Sequence, residues 1–171
     1  MPINYVATYY KTIIKNNSFI YIHGIGSSMF PLLNENMQLR ILKKETYEKG
    51  DLILYSTGSR LILHRIIEIN TVACKVKGDN TLSSEVIRTT RILGCAAAYR
   101  PVGRREIWFV RNKISSLIIP NLSLKMDNQK SRLCRRLLHF CICFYAVVYK
   151  SVCVMKSRRA MKKRKDKKQN V

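Results

Sequence analysis

Gly50-Asp51-Leu52-Ile53-Leu54-Tyr55-Ser56-Thr57-Gly58-Ser59-Arg60-Leu61-Ile62-Leu63-His64-Arg65-Ile66-Ile67-Glu68-Ile69 decides the fold. Leu52 to Tyr55 is almost wholly apolar, and its length suits a buried strand. Thr57-Gly58-Ser59 is a hairpin turn signal between two such runs. Leu61 to Ile69 is the return strand, and it carries a histidine and an arginine in its middle. Two strands joined so tightly run antiparallel.

Outward from this hairpin the same grammar repeats. Phe19 to Ile25, Leu39 to Leu42, Val72 to Val76, Arg91 to Tyr99 and Ile107 to Val110 are short apolar runs split by polar or glycine turns. Gly94 and three alanines in the longest of them suit close packing. Many short strands at close spacing predict an all-β barrel or sandwich. Before them, Ile3, Val6, Ala7, Tyr10, Ile13 and Ile14 recur at steps of three and four, the spacing of a short amphipathic helix that Asn16-Asn17-Ser18 ends. Lys11 and Lys15 interrupt its apolar residues, so it does not form the h-region of a cleavable signal.

Past Pro120 the character changes. Residues 112–136 read as a polar linker, 137–155 as an apolar, cysteine-rich helix, and 156–171 as a basic tail. A length of about nineteen residues, interrupted by His139 and Lys150, is near the minimum for a membrane span. Arg132, Arg136, His139, Cys143 and Lys150 fall on one side of a helical projection. That narrow polar stripe equally suits a helix lying in the membrane interface, with basic flanks on anionic headgroups. A soluble partner-binding or core helix is the third reading.

The 171 residues hold 32 Lys and Arg against 10 Asp and Glu, a formal charge of +22. This favours an anionic partner. Nine of the basic residues lie between Lys156 and Lys168. Such a tail grips polyanions without sequence preference. The β region shows no RNA-binding aromatic motif or zinc finger, so nucleic acid is the disfavoured partner. The membrane surface, reached through residues 137–168, is preferred. Six cysteines without Cys-x-x-Cys spacing read as reduced thiols.

Chemistry concentrates elsewhere. In Gly24-Ile25-Gly26-Ser27-Ser28-Met29-Phe30-Pro31, a serine sits among glycines ahead of a proline. A small hydroxyl presented on such a turn is what a serine nucleophile needs, given a base within reach. His64 on the return strand supplies an imidazole that titrates near neutral pH. Lys77-Gly78-Asp79-Asn80 and Glu85 supply carboxylates, and a histidine base works better when a carboxylate orients it.

Taken together, Ser28-Met29-x-Pro31, Gly50-Asp51 before an apolar strand, Leu63-His64-Arg65-Ile66, Lys77-Gly78-Asp79-Asn80 and Ile92-Leu93-Gly94 resemble the signal peptidase I and LexA-type serine peptidases, in order and spacing, over roughly residues 19 to 108. The chain looks most like short bacterial members without the N-terminal membrane anchor. The resemblance implies a mainly β fold, a coiled β barrel over residues 19–111, with a short N-terminal helix over 1–18 and the C-terminal apolar helix. It matches Ser28 to the nucleophile and His64 to the base, a lysine in typical bacterial enzymes but a histidine in those of the endoplasmic reticulum and archaea. Asp79 matches the acid of the Gly-Asp motif, and Glu85 stands where histidine-type enzymes carry a second acid. Either could orient His64. Met29 and Pro31 belong to the substrate-binding turn. Gly26 departs from the family, which has a serine there whose hydroxyl helps hold the oxyanion. Losing one such donor costs roughly 2.7 to 4 kcal/mol.

The expectation is a serine endopeptidase that cleaves leader or signal peptides of preproteins by acyl transfer at the bacterial inner membrane. The chemistry calls for no metal or cofactor. The alternatives are a basic binding protein for membrane or nucleic acid, and a LexA-like self-cleaving regulator. About twenty residues precede the serine motif, too few for a helix-turn-helix domain.

Overall fold

The computed structural model describes residues 5–24, 26–57 and 60–169, with backbone alone at 5–7, 15 and 164–169. The expected turn at Gly58-Ser59, the end of the first strand at Ile25 and the start of the first helix at Ile3 therefore lie outside the described residues. The chain begins with α1 (Tyr5–Asn16), which buries Ile14 in the core. Eight strands follow among the described residues: β1 (Phe19–His23), β2 (Gln38–Leu42), β3 (Leu52–Thr57), β4 (Arg60–Ile69), β5 (Ala73–Lys77), β6 (Glu85–Arg88), β7 (Ile92–Arg100) and β8 (Ile107–Trp108). All pairings are antiparallel, in the order β1-β2-β7-β3-β4-β5-β6, with β8 beside β7.

The opening hairpin explains the centre of this sheet. β3 is buried from Leu52 to Ser56 because β7 flanks one edge, β4 the other, and apolar layers cover both faces. Leu52 and Leu54 point into one core with Leu39, Ile41, Leu93 and Tyr99. Ile53 and Tyr55 point into a second with Ile66, Val76 and Ile87. A strand buried on both sides reads as a continuous apolar run, without alternation. Register irregularities at Arg40/Ile41, Leu54/Tyr55 and Ile66/Glu68 bend the sheet into a half-barrel. At Gly94 the paired strands β7 and β2 run so close that a Cβ would stand 2.7 Å from the Ile41 Cγ2 methyl and 2.7 Å from the Leu42 carbonyl oxygen. The expected barrel is not closed by strand pairing among the described residues: β1 and β6 are the two ends of the sheet.

Two further expectations are corrected. Residues 112–136 are not a linker. A π-helical turn at Ile114–Ile118 runs into α2 (Ile119–Asp127), and Ile119 and Met126, seven residues apart on one face, are fully buried. The polar residues between them mask this two-turn repeat. Second, the apolar helix does not stop at 155: α3 runs from Arg132 to Gln169, so the basic tail is its continuation.

α3 is the one helix among the described residues long and apolar enough to cross a membrane by length and composition. It also docks on the sheet. Ile142, Ala146, Tyr149 and Cys153 recur at steps of four, three and four and are buried in the first core. The opposite side bears exposed Leu133, Leu137, Phe140, Phe144, Val147 and Met155. The helix is therefore apolar on two faces, which is why its composition resembles that of a span. All six cysteines are free thiols.

Candidate active site

Ser28 sits on the turn after β1. Gly26 there has φ +94°, a conformation that a side-chain-bearing residue adopts only under strain. A serine at 26 would be strained by this backbone, which gives the departure at that position a physical reason. The Phe30–Pro31 peptide is cis. Met29, Leu32 and Leu33 anchor the turn in the core. Its other anchor is the Lys77-Gly78-Asp79-Asn80 turn: the Asn80 amide donates to the Ser28 carbonyl at 2.8 Å, and the Asn80 side-chain amide donates to the Ser27 carbonyl at 3.1 Å.

Gly78 lies between serine turn and histidine. A Cβ there would be 2.5 Å from the Ser28 carbonyl oxygen and 3.1 Å from Nε2 of His64. Both atoms thus crowd a single point, and the imidazole presents Nε2 to the serine turn. Ser28, Met29 and His64 line the same cleft, a cavity of about 700 Å³ walled by Tyr21, Ile22 and His23 of β1 and by Leu61, Ile62 and Leu63 of β4. Among the described residues no hydrogen bond joins the Ser28 hydroxyl to His64. Such bonds are commonly long before substrate arrives and tighten in the complex.

The other face of the imidazole is tied down. Nδ1 lies 3.0 Å from the Tyr55 hydroxyl and 3.3 Å from Oε1 of Glu85, and the Tyr55 hydroxyl donates a hydrogen bond to the same carboxylate oxygen. With its one proton given to Glu85, the Tyr55 oxygen accepts from Nδ1–H. This assigns the tautomer: Nδ1 is protonated and Nε2 keeps a lone pair towards the cleft. Burial lowers the His64 pKa from its ordinary value, although the Glu85 and Asp79 carboxylates act in the opposite sense. The imidazole is therefore neutral at neutral pH, the state a general base requires. Burial, followed by the Glu85 carboxylate, raises the Tyr55 pKa, so the phenol stays a donor.

The two candidate acids are now separated. Asp79 does not hydrogen-bond His64. Its two oxygens accept from Arg65, at 2.9 Å from Nε and 2.7 Å from Nη2, with both side chains buried. Arg65 also donates to the Gly50 carbonyl at 3.1 Å and lies 5.6 Å from the centre of the Tyr149 ring. Asp79 thus locks the Gly78 turn to β4, and Glu85 holds the imidazole. Pro31 is not among the residues lining the cleft; its carbonyl accepts from Lys150 of α3 at 2.9 Å. Arg135 of α3 donates to the Leu82 carbonyl at 2.7 Å, three residues before Glu85. One helix therefore braces both site-bearing loops from below.

Tyr55 was not among the residues singled out from sequence. A signal for it exists: a two-residue connection pairs Thr57 with Arg60 and hence Tyr55 with Ile62, which makes Tyr55 the diagonal same-face neighbour of His64. β6, which carries Glu85, was also missed; Glu85 pairs with Val76. Lys77 is buried beside the Met126 sulfur, 3.8 Å away, and burial pushes its pKa down to about 8. No protein-family model matches the chain, and no curated protein matches it.

Proposed function

We propose that the chain is a serine endopeptidase of signal-peptidase type, with Ser28 as nucleophile, His64 as general base and Glu85 as the carboxylate that orients it. The observation that carries this reading is the polarity of the imidazole: Nδ1 is held by Tyr55 and Glu85, while Nε2 faces the turn that bears Ser28. His64 takes the Ser28 proton as the hydroxyl attacks a peptide carbonyl. It returns that proton to the leaving amine, and water then resolves the acyl-enzyme by the same route. Glu85, relayed through Tyr55 and adjacent to Nδ1, stabilises the imidazolium that forms in between.

The cleft supports an extended peptide as substrate. Its walls are mostly apolar, and among the described residues β1 is the end strand of the sheet, with β2 on one side only. An extended peptide can lie along that free edge, pairing its backbone and placing alternate side chains in the cleft. A leader or signal segment of a preprotein has this character. The long apolar α3 supports an activity at a membrane, and the resemblance points to the bacterial inner membrane.

The test is covalent labelling with a serine-directed acylating probe, alongside cleavage of a leader-peptide substrate. Wild type should label on Ser28 and cleave; Ser28→Ala should do neither, and His64→Ala should lose at least about a hundredfold in rate. Undiminished cleavage by either variant removes the mechanism.

A further inference from the structure

α3 presents an apolar line along its outer side from Leu133 to Met155, 22 steps of about 1.5 Å or about 33 Å. Phe140 and Phe144 are 71% and 57% exposed. A soluble surface does not leave such a stripe in water without a use. The opposite side of the same helix is committed to the core through Ile142, Ala146, Tyr149 and Cys153.

Charge identifies what covers the stripe. Arg132 and Arg136 stand at one end of the helix; Lys156, Arg158, Arg159, Lys162 and Lys163 stand at the other. Across the whole of α3 the one acid is Asp166. An apolar line with basic ends matches a lipid leaflet with anionic headgroups, where acyl chains take the aromatic residues and phosphates take the cations. A protein partner would need acidic clusters at both ends of an apolar groove of the same length.

We infer that α3 lies flat in an anionic leaflet and does not cross it. A crossing helix would have to strip Ile142, Ala146, Tyr149 and Cys153 from the core and break the Lys150–Pro31 and Arg135–Leu82 hydrogen bonds. A flat helix keeps all of these and buries the other side. The inference rests on the membrane reading above but not on the peptidase chemistry.

The experiment uses the full chain and vesicles of phosphatidylcholine, with and without phosphatidylglycerol. Co-flotation should occur with the anionic vesicles and weaken as salt rises. Phe140→Asp/Phe144→Asp, which touches no core residue, should weaken partitioning roughly a hundredfold or more. For orientation, single tryptophans at positions 133, 144 and 155, by Leu133→Trp, Phe144→Trp and Met155→Trp in a Trp108→Phe background, are quenched by lipids brominated at different depths. Equal, shallow depths at all three positions support the flat helix. A deep position 144 between shallow ends overturns it while leaving membrane association standing. Failure to bind any vesicle overturns both, and equal binding to neutral vesicles removes the role of the basic ends.

Discussion

Gly78→Ala places one methyl group at the junction of the candidate site. The new carbon would meet the Ser28 carbonyl oxygen at 2.5 Å, the Thr81 Cγ2 methyl at 2.9 Å and His64 Nε2 at 3.1 Å. Ordinary contact begins near 3.4 Å, so the first of these is short by about 0.9 Å. Thr81 can turn its methyl away, but Ser28 contributes backbone, and that carbonyl is held by the Asn80 amide. Relief therefore comes from parting the serine turn from the Gly78 turn, or from pushing the imidazole out of the cleft. Each lengthens the path from hydroxyl to Nε2 by most of an ångström. Misplacement of that size costs roughly a hundredfold in rate, with an overpacking cost of about 1–3 kcal/mol in stability. The assay is the second-order rate of acylation by the serine-directed probe, beside a denaturant melt of the same variant. Wild-type acylation by a folded Gly78→Ala protein refutes the convergence of Ser28 and His64 on that point.

Acylation should be flat with pH above about 6.5, the ordinary histidine value, and fall on the acid side with a midpoint below it, because burial lowers the His64 pKa and only the neutral imidazole is a base. Glu85→Gln removes a charge that raises that pKa, so the midpoint should move further to acid and the plateau drop about a hundredfold; an unshifted profile counts against Glu85 as the orienting acid. Arg65→Met leaves the Asp79 carboxylate buried without its partner and should cost about 3–5 kcal/mol in urea melts, whereas Arg65→Met/Asp79→Leu should recover most of that loss. Lys77 has a folded-state pKa of about 8 against an ordinary 10.5, so the unfolded chain binds the extra proton between those values and stability from this group rises with pH across that window. Lys77→Met should raise stability by up to roughly 3 kcal/mol near pH 7, and the gain should vanish above about pH 10.5; a pH-independent difference would show that the ammonium is not desolvated.

Much of this protein is decided by local pattern. The apolar runs and turn residues around Leu52–Ile69 specify antiparallel strands because side-chain period and turn chemistry are properties of a few adjacent residues. Ser28 on a glycine turn and His64 in mid-strand are legible for the same reason. The choice of Glu85 over Asp79 is not, since it depends on which strands are neighbours and on one buried arginine claiming both oxygens of the Asp79 carboxylate. The helix at 132–169 marks the same boundary. Its composition sets how apolar it is, but burial of Ile142 and Tyr149 on the sheet decides which side stays free. Composition sums over all faces of a helix, and only packing assigns each face its surroundings.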